Sequence, residues 1–536
     1  MDLHMNLLSP KTLLSILFLT LFSPSLLASE RMNVVLITVD DMNADSLGSF
    51  GCKVKDTSPN IDKFAMDSMR FNYAHVHATS CIPSRNAISS GRYLYNSGIE
   101  GFYALPKEEV TFRTLPEVLR ANGYFTMIRG KAHHSYPYHP YPAFDIMFDT
   151  ELKEQKVNIR KCETFYTTTK KGIEAAAKAG KPFFFSMDIH DPHVGYYNWL
   201  TKKGKVGPGM NKDDKDNAPS KIFTADEITL PGFLPNTELT KQEMAAYYST
   251  VRRADDSFGY MIKALKETGV YDNTMIVFLS DHGMPEPFAK TANYYHSSHT
   301  PLTVRVPKMT KAGSVDNDHM IGASDIFPSI LEVLDIKEES GLDGRSFASI
   351  LKGKKQENRD FVLTMYEENV GGNRQPTRSI ITKDYAYIWN PWSDGERKFA
   401  TATKGMAATA EMFRLAQEGD QYWASRYDIF NYRVPEELYN YEKDPDALTN
   451  LIDQPEMKAQ LDSLRATLSQ VMTSSKDPLE ELFADKDNKT AIAAHLAKVD
   501  KESAWRKTQD SYARSGKAKA SKKKKSSKNK KPSKTK

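Results

Sequence analysis

The chain has 536 residues, enough for a large hydrophobic core, and its 40% hydrophobic and 26% charged residues are those of an ordinary soluble globular protein. Its net charge of +5 misleads, because residues 517–536 carry 11 lysines and no acid, which leaves the rest of the chain at −6, a mildly acidic body with a basic tail. The cysteines Cys52, Cys81 and Cys162 are too few for a disulfide scaffold, and Cys52 and Cys162 either pair or stay as two thiols.

Residues 1–29 read as an export signal. Lys11 precedes the apolar run Leu13-Leu14-Ser15-Ile16-Leu17-Phe18-Leu19, and Ser25-Leu26-Leu27-Ala28-Ser29 offers a cleavage site. That run is short for a bilayer span and no other stretch reaches the length, so no transmembrane segment is expected after signal removal. The mature chain is expected outside the cytoplasm (periplasmic, extracellular or lumenal), where nucleic acid is not the expected partner.

Four apolar, β-rich runs follow. Asn33-Val34-Val35-Leu36-Ile37-Thr38-Val39 ends in Asp40-Asp41, and Gly123–Ile128 ends in Gly130-Lys131-Ala132-His133-His134. Pro182–Ile189 ends in His190-Asp191-Pro192-His193, and Thr274–Leu279 ends in Ser280-Asp281-His282-Gly283. The first shows no alternation, as expected of a strand buried on both faces. Helical patterns such as Leu115–Ala121 and Lys241–Thr268 lie between them. This order predicts an α/β fold, a large and mostly parallel sheet sandwiched by helices, with a smaller C-terminal antiparallel-sheet subdomain.

The divisions expected are a signal at 1–29, a catalytic domain at 30–372, an α+β subdomain at 373–480, a charged helical or irregular extension at 481–515 and a disordered lysine-rich tail at 516–536. In the subdomain Arg378–Thr382 and Tyr385–Trp389 read as paired strands, Glu437–Tyr441 as another, and 455–473 as an amphipathic helix.

Open α/β sheets bind ligands beyond the carboxyl ends of their strands, so the four runs bring Asp40, Asp41, Lys131, His133, His193, Asp281 and His282 toward one crevice. Three carboxylates together call for a cation, and oxygen ligands favour calcium, with magnesium the alternative; His282 is the awkward member of such a set. Lysine offers a point charge for an anion, and histidine moves protons near neutral pH. His190 reads as structural, while Lys290 is either a second anion contact or an exposed surface lysine.

The corner Thr79-Ser80-Cys81-Ile82-Pro83-Ser84-Arg85 places a small nucleophile at a helix start, where an anion is favoured, with Pro83 suited to the first turn. Arg85 stands one turn on, as an oxyanion clamp. Cys81 is open to three readings: a buried structural thiol, a low-pKa thiolate of the phosphatase kind, for which Ala87 stands where an arginine belongs, and the one below.

Cys81, Pro83, Ser84, Arg85, Ser90 and Gly91 match the signature C-x-P-S-R followed by S-G, and Gly123-Tyr124 through Gly130-Lys131 match a second. On these the chain, from about Asn33 to about Leu451, resembles the type I sulfatases of the alkaline-phosphatase-like superfamily. Within that family, His190-Asp191-Pro192-His193, Leu234-Pro235-Asn236-Thr237 and Ser280-Asp281 with Gly283, Pro285 and Pro287 are most similar to the heparan N-sulfatases. Glu437-Leu438-Tyr439, Asp444-Pro445 and Asn450-Leu451 are also typical of sulfatases.

The resemblance implies that a formylglycine-generating maturation enzyme oxidises Cys81 to an aldehyde whose hydrate attacks sulfur. It implies that Asp40, Asp41, Asp281 and His282 hold calcium together with an oxygen at position 81. Arg85 and Lys131 would stabilise the hydrate and its sulfated form; His193 and Lys290 would contact sulfate, His193 as acid for the leaving group; His133 would be the base that regenerates the aldehyde. The heparan N-sulfatase pattern has asparagine at His282 and arginine at Lys290, which leaves N-sulfate preference open. The implied substrate is a sulfated saccharide, either heparan-type glycosaminoglycan or another sulfated polysaccharide. A phosphonate or phosphate ester hydrolase of the same superfamily is the alternative, and a non-catalytic glycan-binding protein with unmodified Cys81 a third reading. The lysine tail is either a solubility tail or a contact to anionic polysaccharide.

Overall fold

The computed structural model describes residues 31–508, apart from 139–142, 203–204, 213 and 338. The export signal read at 1–29 and the lysine tail at 516–536 lie outside the described residues.

Eight strands form the main sheet: β1 (Asn33–Asp40), β2 (Met69–Phe71), β3 (Phe125–Arg129), β4 (Ile146–Met147), β5 (Phe183–Pro192), β6 (Thr274–Ser280), β7 (Thr303–Arg305) and β8 (Ser314–Asp316). They lie in the order β8-β2-β7-β6-β1-β5-β3-β4. The central strands β6, β1, β5 and β3 are mutually parallel, with Leu36 opposite Ser186 on one side and Val277 on the other. Only β7 runs against both of its neighbours.

The helices α1 (Cys81–Ser90), α2 (Glu163–Lys178), α3 (Glu238–Glu267) and α4 (Ile326–Val333) cover the two faces. Val35, Ile37 and Val39 pack with side chains of α2 and α3, while Val34 and Leu36 pack with Ile88 of α1 and with Ile326, Phe327 and Ile330 of α4. All eight residues of β1 are buried, which is why its sequence shows no alternation.

The smaller sheet is antiparallel: β9 (Val362–Glu368), β10 (Arg374–Ile381), β11 (Tyr385–Trp389) and β12 (Glu436–Asn440), neighbours in that order. Arg378 lies opposite Trp389 and Ile381 opposite Ala386, so the two apolar runs read as partners do pair. The sheet already begins at Val362, upstream of the change in composition near Asn373. Leu363, Ile380, Tyr387 and Leu438 pack against Leu461, Leu464, Leu468 and Met472 of α5 (Lys458–Ser475).

The weakly patterned stretch after 474 contains the 20-residue helix α6 (Lys489–Thr508). It buries only Val499 and Ser503, and is tied to the small sheet by Arg374–Glu502, Arg506–Glu368 and Arg397–Asp500. A helix held by ion pairs has no apolar stripe to read. No helix among the described residues is long and apolar enough to cross a membrane. Cys52 and Cys162 are both free thiols and do not pair.

Candidate active site

The chemistry collects where β1, β3, β5 and β6 end. Asp40 closes β1, and Asp41 turns away from it in the left-handed region, at φ 66°. The turn is pinned to the next strand: Asp281 donates its N–H to the Val39 carbonyl at 3.1 Å, and Asp41 donates its N–H to Asp281 Oδ1 at 3.1 Å. Gly283 follows because a Cβ there would lie 1.8 Å from the His296 carbonyl oxygen.

Helix α1 meets these tips head on, and the signature residues explain one another. Ser84 Oγ donates to the Asp281 carbonyl, Arg85 Nε donates to Asp281 Oδ2 at 2.9 Å, and Arg85 Nη1 donates to Thr38 Oγ1 at 2.6 Å and pairs with Asp188. Gly91 ends the helix at φ 66°, where a Cβ would meet the Phe327 ring at 2.7 Å. The helix is therefore clamped at both ends, and its first residue is Cys81.

Around that thiol the groups close in. Cys81 Sγ lies 3.6 Å from Asp40 Oδ1, 3.2 Å from His282 Nε2 and 3.5 Å from Lys290 Nζ. Lys290 Nζ donates to Asp41 Oδ1 at 2.7 Å, and Lys131 pairs with Asp40. His193 Nε2 stands 3.9 Å from Asp41 Oδ2. Lys290, which could have been an exposed surface lysine, is buried.

One donor atom from each of Asp40, Asp41, Cys81 and His282 falls within 4.8 Å of the others. His282 Nδ1 donates to the Gly283 carbonyl at 3.0 Å, and since a carbonyl only accepts, the Nε2 lone pair faces the cluster. Asp41 Oδ2 is buried and has no hydrogen-bond partner among the described residues. An orphaned carboxylate oxygen beside other oxygen donors and an imidazole lone pair fits a hard divalent cation.

The charge states agree with that fit. Burial raises Asp41 to about 6 against the pull of Lys290, and raises Asp281 well above the carboxylate range despite Arg85. Burial would lift Asp40 too, but the charges of Lys131, Arg85 and Lys290 outweigh it and hold Asp40 well below its ordinary value. Three cationic side chains thus leave two of the carboxylates short of positive charge. Burial also pushes the Cys81 thiol far above its usual range, the opposite of the low-pKa thiolate of the phosphatase kind. Burial, with Lys290 for His282 and Lys131 for His193, keeps both imidazoles neutral near pH 7.

Arg85 sits behind the carboxylates rather than over open space, with only Nη2 left without a hydrogen-bond partner among the described residues. His133 is exposed at the mouth, lining a cavity of about 660 Å³ with Lys131 and His190. His190, read as structural, therefore also faces the approach to the site.

Several supporting residues carry no signal in the sequence. Asp188 and Thr38, which hold Arg85, sit inside apolar strands. Asn43 Oδ1 accepts the Met284 N–H at 2.7 Å, and Thr79 Oγ1 donates to Asn293 Oδ1 at 3.0 Å, fastening the loop of Lys290 to the corner of Cys81. The Thr291 N–H also donates to the Thr79 carbonyl at 2.9 Å.

An open, mostly parallel sheet that gathers its polar chemistry at the carboxyl ends of its strands, with a small antiparallel sheet appended, is the alkaline-phosphatase-like architecture. The chain belongs to the sulfatase family: the family model described as Sulfatase matches residues 32–336. A second, described as N-sulphoglucosamine sulphohydrolase, C-terminal, matches residues 281–395. Human N-sulphoglucosamine sulphohydrolase is 26% identical over 472 residues, covering 83% of this chain and 91% of that protein. The enzyme class is thus that of the sulfuric ester hydrolases.

Among solved structures, one described as in complex with its substrate D-glucosamine-2-N,6-O-disulfate superposes with a TM-score of 0.60 at 18% identity, covering 84% of this chain and 99% of that one. The phosphonate monoester hydrolase of Agrobacterium radiobacter superposes with a TM-score of 0.61 at 17% identity, covering 83% and 96%. At these identities the two share the fold.

Proposed function

We propose that the chain is an exported sulfatase that removes sulfate, as ester or sulfamate, from a sulfated saccharide of heparan type or of another sulfated polysaccharide. Residue 81 acts as formylglycine, and a divalent cation, calcium before magnesium, is held by Asp40, Asp41, Asp281 and His282. The observation that carries this reading is the position of Cys81: first residue of a clamped helix, with Asp40, His282 and Lys290 all within 3.6 Å of its sulfur.

When present, the hydrated aldehyde supplies a nucleophilic oxygen at neutral pH and the cation draws charge from the sulfate oxygens. Lys290 and Lys131 hold sulfate oxygens as point charges from two sides. Arg85 keeps Asp281 and Asp40 aimed inward. His193 Nδ1 donates to the Val194 carbonyl at 3.2 Å, so Nε2 is the nitrogen that must take up a proton when the anionic sulfate binds and pass it to the leaving group. His133, at the mouth beside Lys131, is the base that takes the proton released on turnover.

The heparan-type substrate is supported by the human relative, which is named for N-sulphoglucosamine, and by the solved neighbour described with a disulfated glucosamine. His282 and Lys290, in place of asparagine and arginine, leave O-sulfate and N-sulfate both open. The reading requires a maturation enzyme for Cys81 and export through the signal read at 1–29.

Two measurements test it. The peptide spanning Cys81 is expected about 18 Da lighter than the unmodified sequence, since a thiol has been replaced by an aldehyde. The enzyme is expected to release sulfate from N-sulfoglucosamine or from an O-sulfated mono- or disaccharide. The phosphonate hydrolase neighbour supports a second reading, and faster turnover of an aryl phosphonate than of the matching aryl sulfate would favour it.

A further inference from the structure

The cavity at the mouth is basic beyond what sulfate transfer needs. Besides Lys131 it is lined by Lys153, Lys156 and Lys212, contributed by two further stretches of chain. Lys153 belongs to the short helix Phe148–Glu154, Lys156 follows it in the left-handed region at φ 57°, and Lys212 follows the hairpin strands Trp199–Lys202 and Lys205–Pro208. All three are exposed, and none has a salt-bridge partner among the described residues.

The lining carboxylate, Asp149, does not offset them. Its Oδ1 accepts the Gly130 N–H at 2.6 Å, and its Oδ2 faces the Ala132 N–H at 3.5 Å, so it is turned toward the backbone under Lys131. Lys131 is itself paired with Asp40. The three remaining lysines make a positive hollow on a body that is acidic once the tail is set aside. Val157 and Ile159 add apolar wall. The volume of about 660 Å³ suits a sugar unit or two, within the usual range of small-molecule sites.

We propose that this hollow binds a second anionic group, a sulfate or a carboxylate, on the saccharide whose sulfate is removed at Cys81, and that Lys153, Lys156 and Lys212 set a preference for polyanionic substrates. This rests on the sulfatase reading of the site. Lys131 lines the hollow and pairs with Asp40, so a ligand whose scissile sulfate meets Lys131 has the hollow within reach of its neighbouring substituents. Three exposed lysines gathered on one hollow from two segments repel one another, a cost an anion between them removes.

The test compares N-sulfoglucosamine, its 6-O-sulfated form, and its disaccharide with a uronate, in the wild-type protein and in Lys153→Ser/Lys156→Ser/Lys212→Ser. The wild type should favour at least one of the two doubly anionic substrates by tenfold or more in kcat/KM; which one is favoured separates sulfate from carboxylate. The triple variant should lose that preference through KM, with kcat on the favoured substrate held within about twofold, and 0.5 M salt should erode it in the wild type. Equal kcat/KM for singly and doubly anionic substrates in the wild type, or a preference that survives the triple substitution, overturns the proposal.

Calorimetric binding of the same saccharides to Cys81→Ser separates this outcome from failure of the sulfatase reading. Tighter binding of a doubly anionic saccharide that disappears when the three lysines are also replaced supports the hollow even without turnover. Equal binding of all three saccharides overturns it.

Discussion

Two buried charge networks lie on either side of the loop that carries Lys290, and they are built differently. Where the small sheet meets that loop, Arg433 donates to Glu437 Oε1 through Nε at 3.0 Å and Nη2 at 2.6 Å, and its Nη1 donates to the Ala292 carbonyl at 3.0 Å. Glu437 Oε2 accepts the hydroxyls of Tyr294 and Tyr439, both at 2.8 Å, and Asn390 Nδ2 donates to Oε1 at 2.9 Å. Every oxygen of that carboxylate is answered. At the strand tips the side chains are as deeply buried, yet Asp41 Oδ2 has no hydrogen-bond partner among the described residues and Asp41 and Asp281 are pushed toward the neutral form. Burial of charge is common to both; unanswered valence distinguishes the one that does chemistry.

The comparison can be broken in order of expected effect. Cys81→Ala should lower kcat by about a thousandfold or more while circular dichroism and Tm stay near wild type, since a helix clamped by Ser84 and Arg85 does not need the thiol. Loss of fold instead would make Cys81 a structural residue. Asp41→Asn keeps Oδ1 for Lys290 and puts an amide where the orphaned oxygen stands. Activity should fall by about a hundredfold, yet in chelator its Tm should lie within about 3 °C of the wild type in chelator.

Wild-type protein stripped with EDTA should lose activity and regain it with calcium. At one hundred times Kd, calcium should add about 2.7 kcal/mol of stability, an increment absent in Asp41→Asn. Glu437→Gln should do the reverse of Asp41→Asn. Leaving Arg433 buried beside a neutral partner should cost about 3–5 kcal/mol by denaturant midpoint, with kcat of the folded fraction lowered by less than about tenfold. Ser84→Ala, which removes the bond to the Asp281 carbonyl, should cost about 1 kcal/mol by the same measurement.

Much of this was legible in the chain because the signals are local. The runs that become β1, β3, β5 and β6 are continuous and apolar since both of their faces are covered, and each ends within a residue or two of its polar tip. The predicted strand pair of the small sheet has the observed partners. Other elements left a weaker trace. Helix α6 is held by arginine and carboxylate pairs, and β9 precedes the compositional boundary because its partners, not its own composition, make it part of that sheet. Lys290 read equally as a surface side chain until its loop was seen folded onto Thr79.

Sequence alone determined the sheet class, the helix start at Cys81 and the set of tips that would converge, because strand burial and helix starts depend on neighbours a few residues away. Only the tertiary structure decided that Asp41 and Asp281 are short of positive charge, that Asp188 and Thr38 anchor Arg85, and that three lysines ring the entrance. Those facts depend on distances between segments far apart in the chain and on the removal of water around them, and electrostatic energies inside a protein are set by just those two quantities.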